Sequence, residues 1–157
     1  QQTKTSFFNP LYPTESLFPC YVMKLQELTD KILAACFEVS NELGAGFVES
    51  VYEKALLIAL KAKGLEAQNQ FQLSVTFRNE PVGSFYADIV VNKTVILELK
   101  AVKTLLPEHQ AQILNYLKAS ELPVVLLINF GMPRLEYRRF DNKFNRNSED
   151  KRDLFLA

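Results

Sequence analysis

A chain of 157 residues with 48% hydrophobic residues, 12 Phe and no Trp forms one domain, large enough to bury roughly two thirds of its unfolded surface. Eighteen acidic and eighteen basic residues cancel, which excludes a protein that gathers nucleic acid through a global positive field. No apolar run reaches the length of a membrane-spanning helix, and two cysteines with a single histidine exclude a disulfide framework and a Cys/His zinc centre, so the expected setting is the cytoplasm with no membrane partner.

Residues 1–22 hold Pro10, Pro13 and Pro19 among scattered aromatics without helical or strand periodicity, and the first methionine is Met23. They lack the basic start and apolar core of a signal peptide and read as an extended N-terminal arm of non-native or upstream sequence. The domain is expected over residues 23–140. From Leu25, the residues Leu28, Ile32, Cys36, Val39 and Leu43 recur at spacings of three and four, marking an amphipathic helix that Gly44 and Gly46 end. Cys36 falls on the apolar stripe and is read as a buried free thiol. A second helix follows with Val51, Ala55, Leu56, Ala59 and Leu60 as its buried stripe, Lys61 and Lys63 in its last turn and Gly64 beyond its end.

The period then changes to two. Phe71, Leu73, Val75 and Phe77 alternate with polar residues, and the segment from Asn79 to Gly83 is read as a turn because it holds Pro81 and Gly83. Strands are expected over 84–91 and 94–100, then a helix from Pro107 to about Ser120. The continuous apolar run from Pro123 to Phe130 suits a strand buried on both faces, and 135–140 an edge strand. This order specifies an α/β chain of the α+β type, with a central mixed sheet of four to five strands flanked by helices. Residues 141–157 form a polar tail. The basic residues from Arg134 to Arg152 are interleaved with Glu136, Asp141, Glu149 and Asp150 and read as a solvated mixed-charge surface.

Asp88, Glu98 and Lys100 are charges set inside hydrophobic strands, where each needs a partner charge or a metal ion. Glu98 and Lys100 share one face of their strand. A two-residue turn at Asn92-Lys93 sets Asp88 opposite Leu97; a three-residue loop, Asn92-Lys93-Thr94, sets it opposite Glu98. Two opposed carboxylates destabilise a sheet unless a cation lies between them. Spacing alone equally allows a solvent-facing hairpin whose carboxylates pair with Lys100. Beyond Pro107, His109, Gln112 and Tyr116 form a polar helical stripe that either lines a site or faces water. Glu49 opens the second helix with Tyr52 three residues on, an arrangement that also suits the helix dipole.

Together these residues resemble a known family. Gly46-x-x-Glu49-x-x-Tyr52 is similar to the signature of the GxxExxY proteins of the PD-(D/E)XK nuclease superfamily. Asp88 matches the motif aspartate, Glu98-Leu99-Lys100 the E-x-K, and Gln112 to Tyr116 the Q-x-x-x-Y helix of the RecB-like branch. The match departs at Ser40, where many members carry a histidine. The resemblance implies a restriction-endonuclease-like core and a nuclease that cuts phosphodiester bonds, in DNA, with Mg2+ or Mn2+. It implies Asp88, Glu98 and Glu49 as metal ligands, hence the odd-length connection Asn92-Lys93-Thr94, and Lys100 as the group that orients the attacking water. Gln112 joins these as a catalytic positioning residue, while Tyr116, Tyr52 and His109 serve as substrate-binding neighbours. The neutral net charge points to a homodimer or a partner protein that adds DNA affinity. The rival expectation is a non-catalytic nucleic-acid-binding or protein-interaction module that retains the fold.

Overall fold

A computed structural model describes residues 18–142. In chain order its elements are α1 (Phe18–Leu43), α2 (Glu49–Ala62), β1 (Ala67–Phe77), β2 (Glu80–Val91), β3 (Val95–Lys100), α3 (Pro107–Ala119), β4 (Val124–Asn129) and β5 (Glu136–Asp141). Helix α1 starts earlier than its apolar periodicity, so residues 18–22 are helical rather than part of an extended arm. Pro19 is compatible with this because the first-turn amides of a helix have no intrahelical acceptor to lose. The rest of the arm and nearly all of the expected tail lie outside the described residues.

The five strands form one sheet in the order β1-β2-β3-β4-β5, antiparallel throughout except for the parallel β3–β4 pair. Joining two parallel neighbours requires a crossover, and α3 supplies it. Both parallel strands are apolar on both sides because helices cover both faces: Val95–Leu99 and all of β4 are buried. On one face Ile89, Val91, Leu97, Leu99, Leu126 and Ile128 pack against Ile32 and Cys36 of α1 and Tyr52, Leu56 and Leu60 of α2. On the other, Val90, Ile96, Val125 and Leu127 pack against Ile113, Tyr116 and Leu117 of α3. Burial pushes the Cys36 thiol up to about 12, which fits a small apolar side chain rather than a nucleophile. Helix α2 ends on Gly64 at φ +74°, with Gly64 N–H donating to Lys61 O and Leu65 N–H to Leu60 O, a Schellman arrangement that only a residue without a Cβ adopts cheaply. Among the described residues no helix is long and apolar enough to cross a membrane.

The turns explain the registers. Asn92 and Lys93 both take positive φ, and Thr94 N–H donates to Val91 O, as in a tight two-residue turn. Thr94 is left over, however, so pairing resumes at Val91↔Val95 and continues through Ile89↔Leu97. The connection is therefore odd in length, the alternative that brings Asp88 towards Glu98. The β1–β2 turn lies at Arg78 and Asn79, also at positive φ, and not over Asn79–Gly83 as the composition suggested. Pro81 and Gly83 are inside β2 because that stretch has no β3 neighbour, so a missing amide there breaks no ladder on its free side.

Candidate functional site

Asp88 lies where β2 stops alternating between faces. Val91 and Ile89 face α1 and α2 and Val90 faces α3, yet Ala87 also faces α3. The neighbouring strand changes at the same level: Ala67 packs on the α1–α2 side, whereas Phe71 and Leu73 pack on the α3 side. The residue between them, Gln70, has φ +50°, a left-handed conformation uncommon for a residue with a side chain. It stands between the Asn69↔Ile89 and Phe71↔Ala87 pairs, directly opposite Asp88. At this twist Asp88 turns towards β3, where its Oδ2 accepts the Leu99 N–H at 2.7 Å, an amide beyond the last β2–β3 pair. Asp88 thus reaches the end of β3 by replacing a strand acceptor, not by facing Glu98 across a regular ladder.

Glu98 and Lys100 project to the α3 side from the carboxyl end of β3, and α3 meets them. Lys100 Nζ lies 3.7 Å from Glu98 Oε1 and donates to Gln112 Oε1 at 3.2 Å. Gln112 Nε2 donates to the Tyr116 hydroxyl at 2.8 Å, which brings that hydroxyl beside Glu98. These four side chains form one cluster. The spacing of Gln112 and Tyr116 puts them one helical turn apart on the same stripe, which is why both reach it. Glu98 is 4% exposed and its Oε2 has no hydrogen-bond partner among the described residues. Loss of hydration on burial, together with repulsion from Asp88, pushes its carboxyl up to about 8, against the pull of Lys100 and Tyr116. Asp88 is also raised, chiefly by burial and further by Glu53 and Glu49, with the Leu99 amide and Lys100 acting the other way. The Tyr116 hydroxyl is raised as well, by burial and then by Glu98 and Asp88.

Glu49 is exposed in the first turn of α2 and borders, with Asp88, Glu53 and Gln70, an acidic concavity of about 600 Å3. Among the described residues no three His, Cys, Asp or Glu side chains are gathered closely enough to hold an ion as they stand. The donor chemistry nevertheless suits a hard cation, because the converging groups are carboxylates and one of their oxygens is buried without a partner. Glu53 and Gln70 were not apparent from the sequence as site neighbours. Glu53 accepts from Gln70 Nε2 at 3.1 Å and Asn69 Nδ2 at 3.4 Å, and so ties α2 to the twist opposite Asp88. Its position one turn after Glu49 is the signal that marks it; Gln70 carries none.

Two residues expected as substrate contacts, Tyr52 and His109, are engaged in interactions within the fold. Tyr52 is fully buried, stacked on Phe130 at 4.7 Å, with its hydroxyl donating to Gly44 O and accepting Phe47 N–H, so it braces the loop that carries Glu49 and has no surface for a substrate. His109 uses Nδ1 to accept Leu106 N–H at the start of α3, a capping interaction. The exit of β3 is held by Asn129, fully buried, whose amide bonds both the N–H and the carbonyl of Val102. On β5, Arg138 and Arg139 are paired with Glu136 and Asp141, in keeping with a mixed-charge surface.

A family model for the PD-(D/E)XK nuclease superfamily matches residues 26–140. The chain belongs to the PD-(D/E)XK nuclease superfamily. The mixed five-stranded sheet between helices is consistent with the restriction-endonuclease-like fold of this superfamily. No curated protein matches the chain. Among solved structures, the crystal structure of SSO0001 is similar at 16% identity and a TM-score of 0.48, over 65% of this chain and 52% of that one. The chain thus spans about half the length of that neighbour.

Proposed function

We propose that this member of the PD-(D/E)XK superfamily is a nuclease that hydrolyses phosphodiester bonds in DNA with Mg2+ or Mn2+. The observation that carries the reading is Glu98, a buried carboxyl with an unpartnered oxygen beside a second carboxyl, Asp88. Such a pair is stable only if one member stays protonated or a cation joins them. Asp88 and Glu98 would hold the cation, and Glu49 would complete its shell directly or through water. The bound cation supplies positive charge against the scissile phosphate and lowers the pKa of a water.

The chain's own residues do the rest. Lys100, oriented by the Gln112 amide, stabilises negative charge as it develops on the phosphate. Gln112 is a positioning residue whose own orientation depends on Tyr116. The glycine, glutamate and tyrosine of Gly46-x-x-Glu49-x-x-Tyr52, with Gln112-x-x-x-Tyr116, support placement among the GxxExxY proteins and the RecB-like branch. A second copy or a partner protein would add the phosphate contacts that a neutral chain lacks.

The test is cleavage of single- and double-stranded DNA with and without Mg2+ or Mn2+. Cation-dependent cleavage is expected, lost on chelation and reduced at least about 100-fold in Lys100→Ala. Calorimetry should show cation binding to the wild type and its loss in Glu98→Ala. Equal cleavage by wild type and Lys100→Ala refutes the catalytic assignment. DNA binding without cleavage supports the non-catalytic module instead.

A further inference from the structure

The β1–β2 ribbon extends past the rest of the sheet, because β2 pairs with β3 only over Ile89–Val91. Between this overhang and α3 lies a concavity of about 680 Å3. Its lining includes Ser84 and Phe85 from β2 and Gln112, Asn115 and Tyr116 from α3. Gln112 and Tyr116 also belong to the cluster around Glu98 and Lys100, so the concavity adjoins the proposed chemical centre. It shares no residue with the acidic concavity at Glu49 and no acidic residue lines it.

We infer that this concavity receives one unpaired nucleoside of the strand being cut, next to the phosphate at Lys100, so that the enzyme selects single-stranded DNA over duplex. The inference rests on the nuclease reading and adds its substrate class. A phosphodiester that reaches Lys100 must lodge its neighbouring nucleoside somewhere, and the acidic side repels the backbone wherever a cation does not shield it. The other side is neutral to basic and of a size that encloses a small ligand. Phe85 stacks on Tyr116 at 4.4 Å with an interplanar angle of 5°, which makes a rigid aromatic wall. The Asn115 amide offers the donor and acceptor that a base edge requires. A base still paired in a duplex cannot enter without being flipped out, at a cost in stacking and pairing.

Gly83 provides the means of testing this. It lines the concavity, its φ is outside the left-handed region, and a Cβ there meets nothing within 4 Å. Gly83→Phe should fill the space without backbone strain. The wild type is expected to cut a single-stranded oligonucleotide at least about tenfold faster than the blunt duplex of the same sequence. A single abasic residue at one position beside the scissile phosphate should cost about tenfold in kcat/KM. Gly83→Phe should show the same loss through KM, with cation affinity by calorimetry unchanged. The abasic scan in wild-type protein decides the matter even if Gly83→Phe does not fold. Equal cleavage of both substrates, with no position sensitive to base removal, overturns the nucleoside site and leaves the nuclease reading standing. No cation-dependent cleavage of either substrate overturns both.

Discussion

Glu98 is tolerated in this fold mainly as a neutral acid. Its carboxyl titrates at about 8 in the folded chain and at 4.5 as an unperturbed group, so between those values the folded state holds a proton that the unfolded state has released. Stability is then complete below pH 4.5 and declines as pH rises towards 8, and the raised Asp88 adds to the decline. Denaturant unfolding of the cation-free protein is expected to show a loss on the order of 3 to 4 kcal/mol between pH 5 and 8. Glu98→Gln should abolish most of that slope and be more stable than wild type at pH 8; a slope of the opposite sign would refute the assignment. Tyr52→Phe removes one hydroxyl from Gly44 and Phe47 and should destabilise by about 1 kcal/mol while leaving affinity for DNA unchanged. An altered affinity would return Tyr52 to the substrate contacts. The motif spacing marked Tyr52 and His109, of which the first is buried under the Gly44–Phe47 loop and the second accepts an amide at the start of α3. It did not distinguish a side chain that touches a ligand from one that braces a loop, because burial depends on neighbours remote in sequence.

At the scale of the strands, the site depends on a twist shared by β1 and β2. Gln70 adopts φ +50° opposite Asp88 and is held there by Glu53. A β-branched residue is disfavoured in that conformation, whereas glycine adopts it freely. Gln70→Val should therefore cost about 2 kcal/mol and weaken cation binding, and Gln70→Gly should cost less than about 1 kcal/mol. Thermal melts with a calorimetric titration of Mn2+ check both; similar losses in the two variants would mean that the backbone conformation is not what matters. The odd connection at Asn92-Lys93-Thr94 followed from the need to bring Asp88 towards Glu98, because a one-residue change moves a whole strand's side chains to the other face. The twist at Gln70 could not be read. It arises where β2 loses its β3 neighbour and a carboxylate takes over an amide, which no local pattern encodes.

For the whole molecule, the proposed cation and the fold are coupled through the same carboxyls. A ligand that binds only the folded state at about 100 times its dissociation constant stabilises by about 2.7 kcal/mol. Because the cation takes the ionised form of Glu98, it must displace a proton at lower pH. Mg2+ or Mn2+ should consequently raise the melting temperature more at pH 8 than at pH 6, and the increment should vanish in Glu98→Gln. A stabilisation independent of pH would place the cation elsewhere.

The three helices, but not the early start of α1, and the buried parallel strands were legible in the sequence because hydrophobic period is a local quantity, whereas the register at Val91↔Val95 followed from the need to bring Asp88 towards Glu98. The sequence also determined which residues carry the superfamily motifs. The packing of distant segments set the bond from the Leu99 amide to Asp88, the clustering of Lys100, Gln112 and Tyr116 at Glu98, and the burial of Tyr52 under its loop. Desolvation and hydrogen-bond partnership belong to atoms brought together from distant positions, and these are the properties that turn three charges in two strands into a candidate centre for chemistry.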